Sequence, residues 1–250
     1  MIRHCIVPHG LPRPPRPICR TRALIVWMLA SLLPSALLFA DDSAAASGSP
    51  ALSATQVETI VCIRHGEKPK AGLGNLDAEG LNRALALPDV LLARYGKPDF
   101  IFAPDPAADM VSEGSMMMDG TAKGDVCYVR PLLTIGPTAI RCGLPINTPY
   151  GFKHIADLER ELDGPKYRAS LVFVAWEHRV AEEFMKDEVR THGGSPDVVP
   201  VWAHDDFDSI YVARISRDPA GAATVKFEVE HEDLNGMSSD FPQAAGAKAK

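Results

Sequence analysis

Hydrophobic positions along this chain alternate between two periods. Residues 58–63, ending in Ile60-Val61-Cys62-Ile63, form a short continuous apolar run and predict a buried strand. Residues 77–95 then repeat apolar side chains at helical spacing, with Leu81, Leu85, Leu87, Val90, Leu91 and Leu92 as the expected buried face and Asp77 as the cap. Residues 99–103 predict a second strand, residues 104–124 a polar loop rich in Gly and Met, and residues 130–142 and 155–162 two further helices. Leu171-Val172-Phe173-Val174-Ala175-Trp176 is the strongest apolar strand, and residues 180–192 return to helical spacing. Residues 209–215 and 224–229 alternate with period two and predict a closing pair of strands. Strands interleaved with helices predict an α/β fold with a mostly parallel sheet covered on both faces. Chemistry in such sheets sits beyond the carboxyl ends of the strands. His65 and His178 each follow the end of a predicted strand, at equivalent places.

The amino-terminal end reads differently. Residues 1–22 carry five arginines and no acid, and an apolar stretch to Ala40 follows. This pattern predicts a signal peptide over residues 1–40, cut after Ala40, with an uncleaved membrane anchor as the alternative. The protein is expected to be exported, either periplasmic or secreted. Residues 41–56 read as a flexible linker, 57–235 as the folded domain and 236–250 as a disordered tail. The whole chain carries 26 basic and 32 acidic side chains, net −6; without the five leader arginines the balance is 21 against 32, net −11. Nucleic acid is an unsuitable partner for such a protein, and a membrane is one only through an uncleaved leader. An anionic substrate requires a pocket that concentrates the remaining positive charge. Of the cysteines beyond the leader, Cys62 reads as a buried hydrophobe, while Cys127 and Cys142 can pair in an oxidising compartment.

Arg64-His65-Gly66-Glu67 stands at the end of the first strand. An imidazole can attack phosphorus, and a guanidinium can hold phosphoryl oxygens in a fork. The context Ile63-Arg64-His65-Gly66-Glu67-Lys68-Pro69 resembles the signature of the histidine phosphatase superfamily, to which phosphoglycerate mutases belong. His178, in Ala175-Trp176-Glu177-His178-Arg179, matches the superfamily's second histidine. Arg130, opening a helix that ends before Gly143-Leu144-Pro145, resembles its second phosphate-binding arginine. The resemblance implies a three-layer α/β/α sandwich and a two-step phosphoryl transfer without metal or cofactor. His65 would be the nucleophile, and Arg64, Arg130 and His178 would bind the phosphoryl oxygens of a small phosphorylated substrate.

The general acid is where the chain departs from the family pattern. Segment 147–153 has no acid, and Arg179 follows His178 where one branch carries an aspartate. Glu177 is the expected acid, with Asp105 as its competitor. The missing family acid also motivates an alternative, a phosphate-binding protein without turnover on the same fold. Substrate specificity is expected from segments 104–128 and 147–153. Arg83 reads as a surface position, Met116-Met117-Met118 as part of a surface loop, and His204-Asp205-Asp206 and His231-Glu232-Asp233 as solvated turns. A Walker-type loop, a dinucleotide glycine loop and a Gly-x-Ser-x-Gly element are all missing, so nucleotide binding of those types and serine hydrolysis are unsupported.

Overall fold

The computed structural model describes residues 55–113 and 124–243. The expected leader, most of the linker, the three consecutive methionines and the last seven residues lie outside the described residues. Strand β1 (Gln56–Arg64) is followed by α1 (Ala78–Tyr95), β2 (Phe100–Phe102), β3 (Met110–Glu113) and β4 (Gly124–Cys127). Helices α2 (Arg130–Cys142) and α3 (Ile155–Leu162), strand β5 (Leu171–Trp176), helix α4 (His178–Thr191) and strands β6 (Ser209–Arg217) and β7 (Ala223–His231) complete the order.

Five strands form one sheet in the order β2-β5-β1-β6-β7. β2, β5 and β1 run parallel; β6 pairs antiparallel with β1, and β7 antiparallel with β6. Side chains on successive positions point to opposite faces, so the continuous apolar runs feed two cores. Ile60, Cys62, Val172, Val174 and Trp176 pack with Leu158 of α3 and Phe184 of α4. Val61, Ile63, Phe173 and Ala175 pack with Leu87 of α1 and Ile135 of α2. Two helices on each face make the expected α/β/α sandwich, mostly parallel at its centre. Among the described residues no helix is long and apolar enough to cross a membrane.

Register places the chemistry. Arg64 pairs with Trp176, the last residues of β1 and β5, and the His65 amide donates to the Trp176 carbonyl at 3.2 Å. His65 and the Glu177-His178 pair therefore leave the sheet at the same edge. Two helix starts supply the other parts. Asp77 caps α1 by accepting from the Gly80 amide at 2.9 Å. Gly80 lies against the motif turn so closely that an added Cβ would fall 2.3 Å from the Glu67 carbonyl oxygen. Thr134 of α2 accepts from the Gly66 amide at 2.9 Å and donates to the Arg130 carbonyl at 2.9 Å, docking the first turn of α2 beside His65.

The structure corrects several expectations. Leu85 is 49% exposed, whereas Arg83 is fully buried. The inward stripe of α1 is Gly80, Arg83, Ala84, Leu87 and Leu91; Leu85 lies one step round the helix from it. Glu232 is also buried, paired with Arg83 at 2.6 Å, and is no solvated turn residue. Segment 104–124 is not all loop: β3 and β4 pair as an antiparallel ribbon outside the main sheet. Helix α4 begins at His178, two residues early, because Glu177 caps it. Cys127 and Cys142 are both free. Cys142 ends α2 and Cys127 stands before its start; the helix spans about 18 Å at 1.5 Å per residue, well beyond disulfide reach.

Candidate active site

A cleft of about 420 Å³ opens at the sheet edge where β1 and β5 end, and Arg64, His65, Arg130, Glu177 and His178 all line it. Four of these five are almost wholly buried: Arg64 is 1% exposed, His65 2%, Arg130 4% and His178 4%. Asp105 is not among the lining residues. Its carboxylate instead accepts from the Ala107 amide at 2.9 Å, closing its own turn. Lys68 and Arg179 also line the cleft. Four cationic side chains thus face one opening in an acidic protein, as an anionic substrate requires.

His65 is oriented by its own backbone. Its Nδ1 stands 2.7 Å from the Gly66 carbonyl oxygen. A carbonyl only accepts, so Nδ1 carries the proton and Nε2 is left with the lone pair. Tyr128 meets the ring edge-on, with centroids 6.0 Å apart, and Phe207 flanks it at 6.1 Å. Burial, and then the Arg130 and Arg64 guanidinium groups, push the imidazole pKa down to about 3, against the opposing pull of the Gly66 carbonyl. The ring is neutral and able to attack at any physiological pH.

Arg64 is fastened through one nitrogen of its guanidinium. Its Nη1 donates to the carbonyls of His204 and Asp206, both at 2.7 Å, and its plane lies 3.8 Å from the Phe207 ring centre. Its buried Nε has no partner among the described residues. A buried guanidinium N–H without a partner is costly. Arg130 lies over the Tyr128 ring, 4.6 Å from its centre.

Glu177 serves two neighbours. One oxygen caps α4, accepting from the Arg179 and Val180 amides at 2.9 and 3.0 Å. The other stands 2.7 Å from His178 Nδ1, too bent for a good hydrogen bond. Burial raises its pKa, yet the contacts with His178 and the α4 amides outweigh this and bring it down to about 2. The carboxylate lies in the cleft, as expected of an acid, but in its ionised form.

Sequence reasoning missed part of the lining. Val111, Tyr128 and Phe152 come from the two segments expected to set specificity. Phe152 is anchored by its carbonyl, which accepts from Trp176 Nε1 at 2.8 Å. His204 also lines the cleft, and its loop carries the carbonyls that hold Arg64. Nothing in a His-Asp-Asp turn signals that role; only the docking of residues 203–206 against the end of β1 creates it.

No family model matches the chain, and no curated protein does. Solved structures do. The chain resembles histidine phosphatases of known structure. The protein histidine phosphatase SixA complexed with tungstate is 14% identical, with 70% of this chain and 97% of that one covered and a TM-score of 0.43. A mycobacterial glucosyl-3-phosphoglycerate phosphatase is 14% identical over 69% of this chain and 97% of its own, TM-score 0.41. The alpha-ribazole phosphatase of Shigella flexneri is 12% identical over 75% and 100%, TM-score 0.40. These neighbours are members of the histidine phosphatase superfamily. The chemistry of this cleft rests on its own geometry.

Proposed function

We propose that the chain is an exported phosphomonoester hydrolase of the histidine phosphatase superfamily, acting through a phosphohistidine on His65 without a metal. The observation that carries this reading is the tautomer of His65: with Nδ1 committed to the Gly66 carbonyl at 2.7 Å, Nε2 is a neutral nucleophile in a cleft walled by guanidinium groups. In the first step Nε2 attacks phosphorus, and the bond to the leaving oxygen breaks with its electron pair going to that oxygen. Arg64, Arg130 and His178 take up the negative charge of the transferring phosphoryl group, acting most strongly where water is excluded. In the second step water attacks the phosphohistidine and the P–N bond breaks back to Nε2. The water proton passes to Glu177, whose ionised carboxylate suits a base. Residues 111, 128 and 152 wall the cleft with apolar and aromatic surface, which supports a small organic phosphate as substrate.

The test is hydrolysis of an aryl phosphate by the purified protein, with a chelator present throughout. Turnover that His65→Ala lowers by about 10³-fold or more is the expected result. Binding of phosphate or vanadate without turnover would instead support the phosphate-binding alternative.

A further inference from the structure

Departure of an alkoxide needs a proton on the leaving oxygen, and neither carboxylate expected from the sequence supplies it. Glu177 is ionised, and Asp105 lies outside the cleft. Guanidinium groups hold their protons too tightly. His178 has its Nδ1 against the Glu177 carboxylate at 2.7 Å and is already given to the phosphoryl oxygens.

A second cleft of about 430 Å³ adjoins the first, and the two share His178, Arg179 and His204 as lining. The second is walled beyond them by Glu182, Val201 and Trp202. His65 sits in the first cleft only. The adjoining cleft is space beside the phosphoryl site that can receive a leaving group. His204 stands at the threshold between the two, its ring centroid 5.5 Å from that of His178.

Its backbone is held in register with the phosphoryl site. Arg64 donates to the His204 and Asp206 carbonyls. Trp202 fixes the same loop from below, its amide donating to Glu182 at 2.8 Å and its ring N–H to the Asp206 carbonyl at 3.2 Å. The guanidinium offered to the phosphoryl oxygens is therefore the one that positions the loop bearing His204. The residue itself is exposed, open to reprotonation by solvent after each turnover.

Building on the phosphatase reading above, we infer that His204 is the proton donor to the leaving group, and that the adjoining cleft is where that group sits. As the P–O bond breaks, the electron pair moves to the leaving oxygen and the His204 imidazolium passes its proton to it. The alcohol departs through the second cleft, and neutral His204 takes a proton back from water.

The test is kcat/KM for a series of phosphomonoesters, from aryl esters with acidic phenols to alkyl esters, in the wild type and in His204→Gln. A phenolate leaves without help; an alkoxide does not. The expected result is a loss of about 10²–10⁴-fold on alkyl esters and under about tenfold on the most acidic aryl ester. The leaving-group dependence should therefore be steeper in the variant. His204→Ala should behave alike, with vanadate binding kept, because the carbonyl that holds Arg64 remains. Equal losses across the series, or no loss, would overturn the assignment while leaving the phosphatase standing. A wild type inactive on every ester would overturn the phosphatase reading itself, and this inference with it.

Discussion

At His65, burial and two guanidinium groups act in one direction, and stability records the result. The ordinary imidazole value of 6.5 falls to about 3 in the folded protein. Between these values the unfolded chain binds a proton that the folded one does not, so stability rises with pH. The contribution of His65 is complete above about 6.5 and is lost as pH falls toward 3. Glu177, brought from 4.5 to about 2, acts in the same sense but lower down, from about 4.5 to 2. Glu58 and Glu232 run the other way. Burial raises them to about 7 and about 8, so their contributions are lost as pH rises toward those values. The wild-type profile mixes both trends, and a variant separates them. In His65→Gln, the fall in melting temperature between pH 6.5 and 4.5 should be smaller than in the wild type, measured by thermal denaturation across pH. Parallel curves would show that His65 is not held neutral by the fold. The local chemistry of Arg64 and His65 was legible in the sequence; the partner of Nδ1 was not, since it depends on how the Gly66 carbonyl turns back on the ring.

At the scale of elements, Arg83 ties together pieces far apart in sequence. From α1 it donates through Nε and Nη2 to Glu67 of the motif turn, with Nη2 at 2.7 Å. It also donates through Nη1 to Glu232, just past β7, at 2.6 Å, with Asp208 at 3.4 Å. One buried cation thus serves three carboxyl groups. Replacing it strands them, and removing one partner of a buried pair typically costs about 3–5 kcal/mol. Arg83→Met should lower unfolding stability by that amount in denaturant titration; a loss under about 1 kcal/mol would show that the cluster relaxes into water. The same contact explains why sequence reading failed here. A helical pattern with leucines on two faces does not reveal which one is inward, and the deciding carboxylate is 149 residues away. The ribbon of β3 and β4 escaped for a related reason. Its four-residue strands, Met-Val-Ser-Glu and Gly-Asp-Val-Cys, carry no apolar and polar alternation. By contrast, α2, α3 and β5 were legible residue for residue, each being an uninterrupted run with one hydrophobic period and clear ends.

At the scale of the whole molecule, the five-stranded sheet and the four helices among the described residues turn two distant histidines into one site. β1 and β5 are parallel neighbours in matching register, so chemistry placed after either strand converges on one edge. That convergence was readable from two apolar runs that each end at a histidine. The walls of the cleft were not, because they come from a ribbon, a loop after α2 and the loop before β6, whose positions only the folded chain determines. Charge is arranged at the same scale: the chain is acidic overall, yet Arg64, Lys68, Arg130 and Arg179 face a single opening. The central claim is that His65 becomes phosphorylated during turnover. It is tested most directly by mixing the protein with an aryl phosphate, quenching in alkali on the millisecond scale, and mapping the phosphoryl group by peptide mass spectrometry. An acid-labile phosphoryl group is expected on the peptide carrying His65, absent in His65→Ala. Rapid turnover with no phosphorylated histidine at any quench time, or undiminished turnover in His65→Ala, would contradict it.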